Sequence, residues 1–69
     1  MTELIKNCVY DLRDKKSITQ QELAEAVGVT RQTIIAIEKG NYTPSVLLAL
    51  KIAKYFKVKV ENVFEISNE

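Results

Sequence analysis

The segment Thr19 to Gly40, TQQELAEAVGVTRQTIIAIEKG, limits the folds open to this chain more than anything else in it. Two short stretches with helical spacing of apolar residues stand on either side of a glycine. The first opens at Thr19, with Glu22 three residues on. A hydroxyl and a carboxylate at that spacing satisfy end-of-helix amides reciprocally, so the pair predicts a capping box. Leu23, Ala24 and Val27 form the inner stripe of this helix, and Ala24 sits where a neighbouring helix must cross closely. Gly28 follows the last turn, where a left-handed cap suits a residue without a Cβ. Val29 plugs the turn into the core, and Thr30 caps a second helix that runs to about Lys39. Ile34 and Ile37 point inward together, and Gly40 stops it.

The remainder supplies a small core around these two helices. Ile5, Cys8, Val9 and Leu12 recur at helical spacing, which predicts a first helix over about Asn7 to Lys15 with Cys8 inside it. Leu4 and Ile5 either extend that helix or form a short strand. Pro44 and Ser45 open a fourth helix. Val46, Leu47, Leu50, Ile52, Ala53 and Phe56 make it apolar over a wide arc, which predicts a central, buried element. A short fifth helix is expected at about Val60 to Val63. Phe64-Glu65-Ile66 then reads as a strand whose only plausible partner is Leu4-Ile5. An isolated two-stranded ribbon is marginal, so it would have to pack on the helices or at a dimer seam. The expected fold is therefore an all-α, five-helix domain spanning 1–69, with a short antiparallel ribbon where the termini pair.

At 69 residues, a single core rarely supplies more than ~3–5 kcal/mol. Cys8 is the only cysteine, so no intrachain disulfide can add to it. The bookkeeping favours support from a second subunit. A lone thiol also fits a reducing cytoplasm better than secretion, with redox sensing as its other reading. The start, MTELIKN, lacks a signal-peptide core, and no apolar run reaches the ~18 residues of a membrane span. There is no histidine, and the carboxylates show no ligand spacing, so neither a nucleophile–base pair nor a metal site is expected. Two glycines cannot build a phosphate-cradling loop. No enzyme, cofactor or small-molecule ligand is expected.

What remains is a surface. With Ile34 and Ile37 inside, the helical period puts Arg31, Gln32, Ile35 and Ala36 on the opposite face. Two helices joined this way read as a helix-turn-helix, in which the second helix lies in the DNA major groove. The net charge of +1 is low for a DNA-binding protein. Its distribution is more favourable: Lys39 to Val60 holds five lysines and no acid.

The chain resembles the Cro/CI-type helix-turn-helix regulators, the lambda-repressor-like fold. The residues that carry the likeness are Gln20-Gln21-Glu22-Leu23-Ala24, Gly28-Val29-Thr30-Arg31-Gln32-Thr33-Ile34 and Ile37-Glu38-Lys39-Gly40. Pro44-Ser45 and Ala49-Leu50-Lys51-Ile52-Ala53 extend it, so that it covers about residues 7–64. The nearest likeness is to the short stand-alone subgroup that includes the cytolysin repressor, a dimeric group with paired terminal strands.

The resemblance implies a sequence-specific regulator of double-stranded DNA, a homodimeric repressor on a near-palindromic operator. Base contacts fall to Arg31, Gln32, Thr33, Ile35 and Ala36. Arginine suits guanine and glutamine suits adenine, whereas Ile35 departs from the usual polar residue and can meet only a thymine methyl. Backbone contacts fall to Thr19, Gln20, Lys39 and Asn41. Arg13 and Glu38 match a structural ion pair between the first and recognition helices. The dimer interface is expected in a C-terminal region of about 56–67, at Phe56, Val58, Val60, Val63, Phe64 and Ile66. The competing reading is a protein-interaction module, such as an antitoxin-like subunit, built on the same scaffold.

Overall fold

The computed structural model describes residues 3–68. The elements are β1 (Glu3–Asn7), α1 (Val9–Lys16), α2 (Gln20–Val27), α3 (Arg31–Lys39), α4 (Val46–Phe56), a 3-10 turn (Val60–Asn62) and β2 (Phe64–Asn68). The fold is mostly helical and carries one antiparallel two-stranded ribbon, in which Ile5 faces Ile66 and Asn7 faces Phe64.

Local chemistry explains the boundaries of the central pair. At α2, Thr19 Oγ1 accepts the Glu22 amide at 3.0 Å, and Glu22 Oε1 accepts the Thr19 amide at 2.7 Å. Gly28 ends the helix at φ +78°, a left-handed conformation, with its amide on the Ala24 carbonyl. Thr30 caps α3 by accepting the Thr33 amide at 3.3 Å. Ser45 caps α4 by accepting the Leu48 amide at 3.1 Å.

The core runs through the middle of this set: Val9 from α1, Leu23, Ala24 and Val27 from α2, Ile34 and Ile37 from α3, Leu48, Ile52, Ala53 and Phe56 from α4, and Val63. Leu12, Ile18, Val29, Val58, Val60 and Phe64 pack around it. Every buried polar side-chain atom among the described residues has a hydrogen-bond partner. None of the described helices is long and apolar enough to cross a membrane.

Four expectations need correction. Among the described residues there are four α-helices, not five, because the expected fifth is a single 3-10 turn. Asn62 and Val63 donate back only three residues, to Lys59 and Val60. Only Lys59 to Val63 separate the bend at Val58 from β2, and a segment that short closes with three-residue bonds, as brief 3-10 connectors do.

The first helix starts at Val9, and Cys8 is its cap residue rather than a member. Ile5, counted in the helical spacing, belongs to β1. Helix α4 is not buried all round. Its inner stripe is Leu48, Ile52, Ala53 and Phe56, while Val46, Leu47 and Leu50 are 77%, 64% and 50% exposed. Lastly, Phe56 and Val63 are 3% and 2% exposed because they close the protomer's own core. They have no surface to offer a second subunit.

Candidate nucleic-acid interface

Helix α3 is held by its apolar side and presents the opposite arc. At about 100° per residue, Arg31, Gln32, Ile35, Ala36 and Lys39 fall within about 140° of one another. Ile34 and Ile37 lie on the other side, in the core. Arg31 and Gln32 are exposed in the first turn, Lys39 is exposed in the last, and Ile35 and Ala36 are half-buried between them. Thr33 sits on the flank, half-buried, its hydroxyl 3.2 Å from that of Thr30.

The outer arc is therefore polar at both ends and apolar in the middle. Such a surface can donate hydrogen bonds to base edges near Arg31 and Gln32, and it can approach closely at Ala36. Asn41 is exposed just past Gly40, and its amide donates to the Ala36 carbonyl at 2.9 Å. Lys39 and Asn41 thus stand together at the end of α3 away from Arg31.

Beneath that arc lies a polar cluster. Arg13 Nε donates to Glu38 Oε2 at 2.7 Å, and Arg13 Nη2 donates to Glu38 Oε1 at 3.0 Å. The two side chains are only 11% and 9% exposed. The third guanidinium nitrogen donates to the Ile18 carbonyl at 3.0 Å, and the cation lies 5.3 Å from the centre of the Tyr10 ring. The bonds to Glu38, against the cost of burial, push the Arg13 guanidinium further above its already high value, so it stays charged. Gln20, the first residue of α2, donates Nε2 to Glu38 Oε1 at 3.1 Å.

One carboxylate therefore ties together α1, α2 and the end of α3. It also cancels its own negative charge against Arg13, which leaves the outer arc with the cations Arg31 and Lys39. Thr19 and Gln20 stand at the start of α2, where the helix dipole favours an anion. The Gln20 amide group, however, is turned toward Glu38 and partly buried.

Sequence reasoning missed two features. Asn7 donates Nδ2 to the Ile37 carbonyl at 2.9 Å and accepts the Val9 amide on Oδ1 at 3.1 Å. An asparagine two residues before a helix start is a recognisable turn signal that points to the second bond. Nothing local points to the first, which spans 30 residues. The other is the exposed apolar face of α4 at Val46, Leu47 and Leu50.

A capped helix, a glycine turn and a second helix whose outer arc is polar at both ends define a helix-turn-helix DNA-binding fold. Residues 9–63 match the helix-turn-helix family model, and the chain belongs to that family, the Cro/CI type of transcriptional regulators. It is 55% identical over 65 residues to the HTH-type transcriptional regulator YgzD of Bacillus subtilis, covering 94% of this chain and 98% of the relative. It is 35% identical over 52 residues to the cryptic phage CTXphi transcriptional repressor RstR of Vibrio cholerae, covering 75% of this chain and 47% of that protein. Among solved structures, the restriction-modification controller protein C.AhdI of Aeromonas hydrophila superposes with a TM-score of 0.73 at 26% identity, over 78% of this chain and 82% of that one.

Proposed function

We propose that this regulator is a repressor that binds a near-palindromic operator as a homodimer, with α3 of each protomer in the major groove. The observation that carries the reading is the outer arc of α3. Arg31 and Gln32 project from its first turn into solvent, while the acid of the same helix, Glu38, is neutralised behind it. Arg31 and Gln32 read base edges, Thr33, Ile35 and Ala36 line the approach, and Ile35 contributes an apolar contact only. Thr19, Lys39 and Asn41 take phosphates, and Gln20 assists chiefly by bracing Glu38. A repressor role accords with the likeness to RstR and requires only that the bound protein cover a promoter.

Two-fold pairing is supported by the surface of α4. Val46 and Leu50 are one turn apart, Leu47 lies beside them, and all three are exposed. Val58, just before the 3-10 turn, and Val60, its first residue, are half-buried and pack against the core, and Phe64 and Ile66 continue along β2. In this reading α4 forms the dimer seam, with these C-terminal residues at its margin. The protomer measures 36 × 23 × 21 Å, and a dimer on such an operator must hold its two recognition helices one DNA turn apart, about 34 Å. The second reading, a protein-interaction module, makes the same α4 face the seat of a different protein.

Binding to a duplex selected from a random pool, measured against an unselected duplex over a salt series, separates the two. The repressor reading expects tighter binding to the selected duplex and a steep loss of affinity with salt for both. An absence of DNA binding even at low salt would leave the interaction-module reading in its place.

A further inference from the structure

Three parts of the chain meet at the base of the ribbon. The Cys8 amide donates to the Val63 carbonyl at 3.0 Å, which pins the start of α1 to the C-terminal segment. One residue earlier, Asn7 faces α3. Its Nδ2 donates to the Ile37 carbonyl at 2.9 Å, while its Oδ1 accepts the Val9 amide at 3.1 Å. The Ile37 carbonyl also accepts the Gly40 amide at 3.0 Å, so the Asn7 bond joins the one that closes α3. Few short side chains make both bonds at once: a carboxylate lacks the donor, and a serine hydroxyl lacks the reach.

The geometry points to Asn7 as a positioning residue for DNA readout, latching the last turn of α3 to the ribbon and to α1. This rests on the reading of α3 as the recognition helix. Ile34 and Ile37 set how deep α3 sits, but apolar contacts are non-directional and leave rotation poorly specified. Two directional bonds remove that freedom, and they act on adjacent residues. Arg13, within α1, holds the Glu38 side chain. Asn7, just before α1, holds the Ile37 carbonyl. The segment from Asn7 to Arg13 thus grips the end of α3 at two adjacent residues, Ile37 and Glu38. A binding constellation must be held within about 0.5 Å of its productive geometry, and α3 carries its readers at the far end of this lever.

The test compares the full chain with Asn7→Ser and Asn7→Asp. Both variants keep an oxygen for the Val9 amide, so α1 stays capped. Serine does not reach Ile37, and aspartate meets the carbonyl with a second acceptor at the negative end of the α3 dipole. Affinity is measured for a duplex selected with the parent chain and for an unselected duplex, beside thermal unfolding of each protein. The expected result is folded variants whose affinity for unselected DNA stays within about 2-fold, while affinity for the selected duplex falls about 5-fold for serine, the worth of one hydrogen bond, and further for aspartate. An unchanged ratio between the two duplexes overturns the positioning role. So does a parallel loss on both duplexes, or failure of both variants to fold where the parent is folded. Should only Asn7→Asp fail to fold, Asn7→Ser carries the same comparison. A parent chain without preference for its own selected duplex would overturn the recognition-helix reading first, and this role with it.

Discussion

Replacing Glu38 with alanine should be among the most damaging single changes in the chain, because of where its partners are left. The substitution removes three hydrogen bonds: from Arg13 Nε at 2.7 Å, from Arg13 Nη2 at 3.0 Å and from Gln20 Nε2 at 3.1 Å. Arg13 keeps its charge in a site where its side chain is only 11% exposed. Stranding one partner of a buried pair costs about 3–5 kcal/mol. Arg13 retains the Ile18 carbonyl and the Tyr10 ring face, and water enters the space vacated, so the low end applies, about 3 kcal/mol.

For a domain of this size that is most of a stability of ~3–5 kcal/mol. It corresponds to a fall in Tm of about 12–24 °C. Urea denaturation followed by circular dichroism measures it. The double replacement Arg13→Met with Glu38→Leu removes both charges and should lie within about 1 kcal/mol of the parent, since a buried pair replaced by apolar groups is often neutral. A loss below about 1 kcal/mol for Glu38→Ala would refute the reasoning, because the pair would then be behaving like a surface salt bridge.

If the proposed dimer forms through α4, Leu47→Glu should shift sedimentation toward monomer with little change in Tm, as the side chain is 64% exposed and its loss leaves no cavity; the same sedimentation as the parent would take the seam off α4. Gly28→Ala has open space for the added carbon, but φ is +78°, so the strain is in the backbone alone and should cost about 1–2 kcal/mol in urea denaturation. The Cys8 thiol is pushed above its ordinary value of 9.0 by burial and then by Asp11. It should therefore alkylate with iodoacetamide more slowly at pH 8.5 than in denaturant. With the folded value raised, any stability it lends is full below the ordinary thiol value and declines as pH rises through and above it.

The central helices were legible because what bounds them is local. Thr19 and Glu22 are three residues apart, and Gly28 and Gly40 stop helices by their own backbone freedom. Contacts that span the chain were less so. Leu4 and Ile5 could be left as helix or strand because their partners, Ser67 and Ile66, lie at the other end of the sequence. On α4 the difficulty was different. Val46, Leu47, Leu48, Leu50, Ile52, Ala53 and Phe56 are apolar over so wide an arc that periodicity does not say which part faces in. Phe56 on α4 and Val63 past the 3-10 turn both read as seam residues in the sequence, yet the protomer's core claims both. The outer arc of α3 was readable, since Ile34 and Ile37 fix its inner side, but the Asn7 bond to Ile37 leaves no trace in local spacing.

The most direct test of the account replaces Gln32 and Lys39 separately with alanine and measures binding to a panel of duplexes that vary the selected site one base pair at a time. Gln32→Ala should relax preference at particular base pairs, by about 1–3 kcal/mol each, while Lys39→Ala should weaken every duplex alike and reduce the salt dependence. Equal, sequence-independent losses from both would contradict it, because the outer arc of α3 would then be gripping the backbone rather than reading bases.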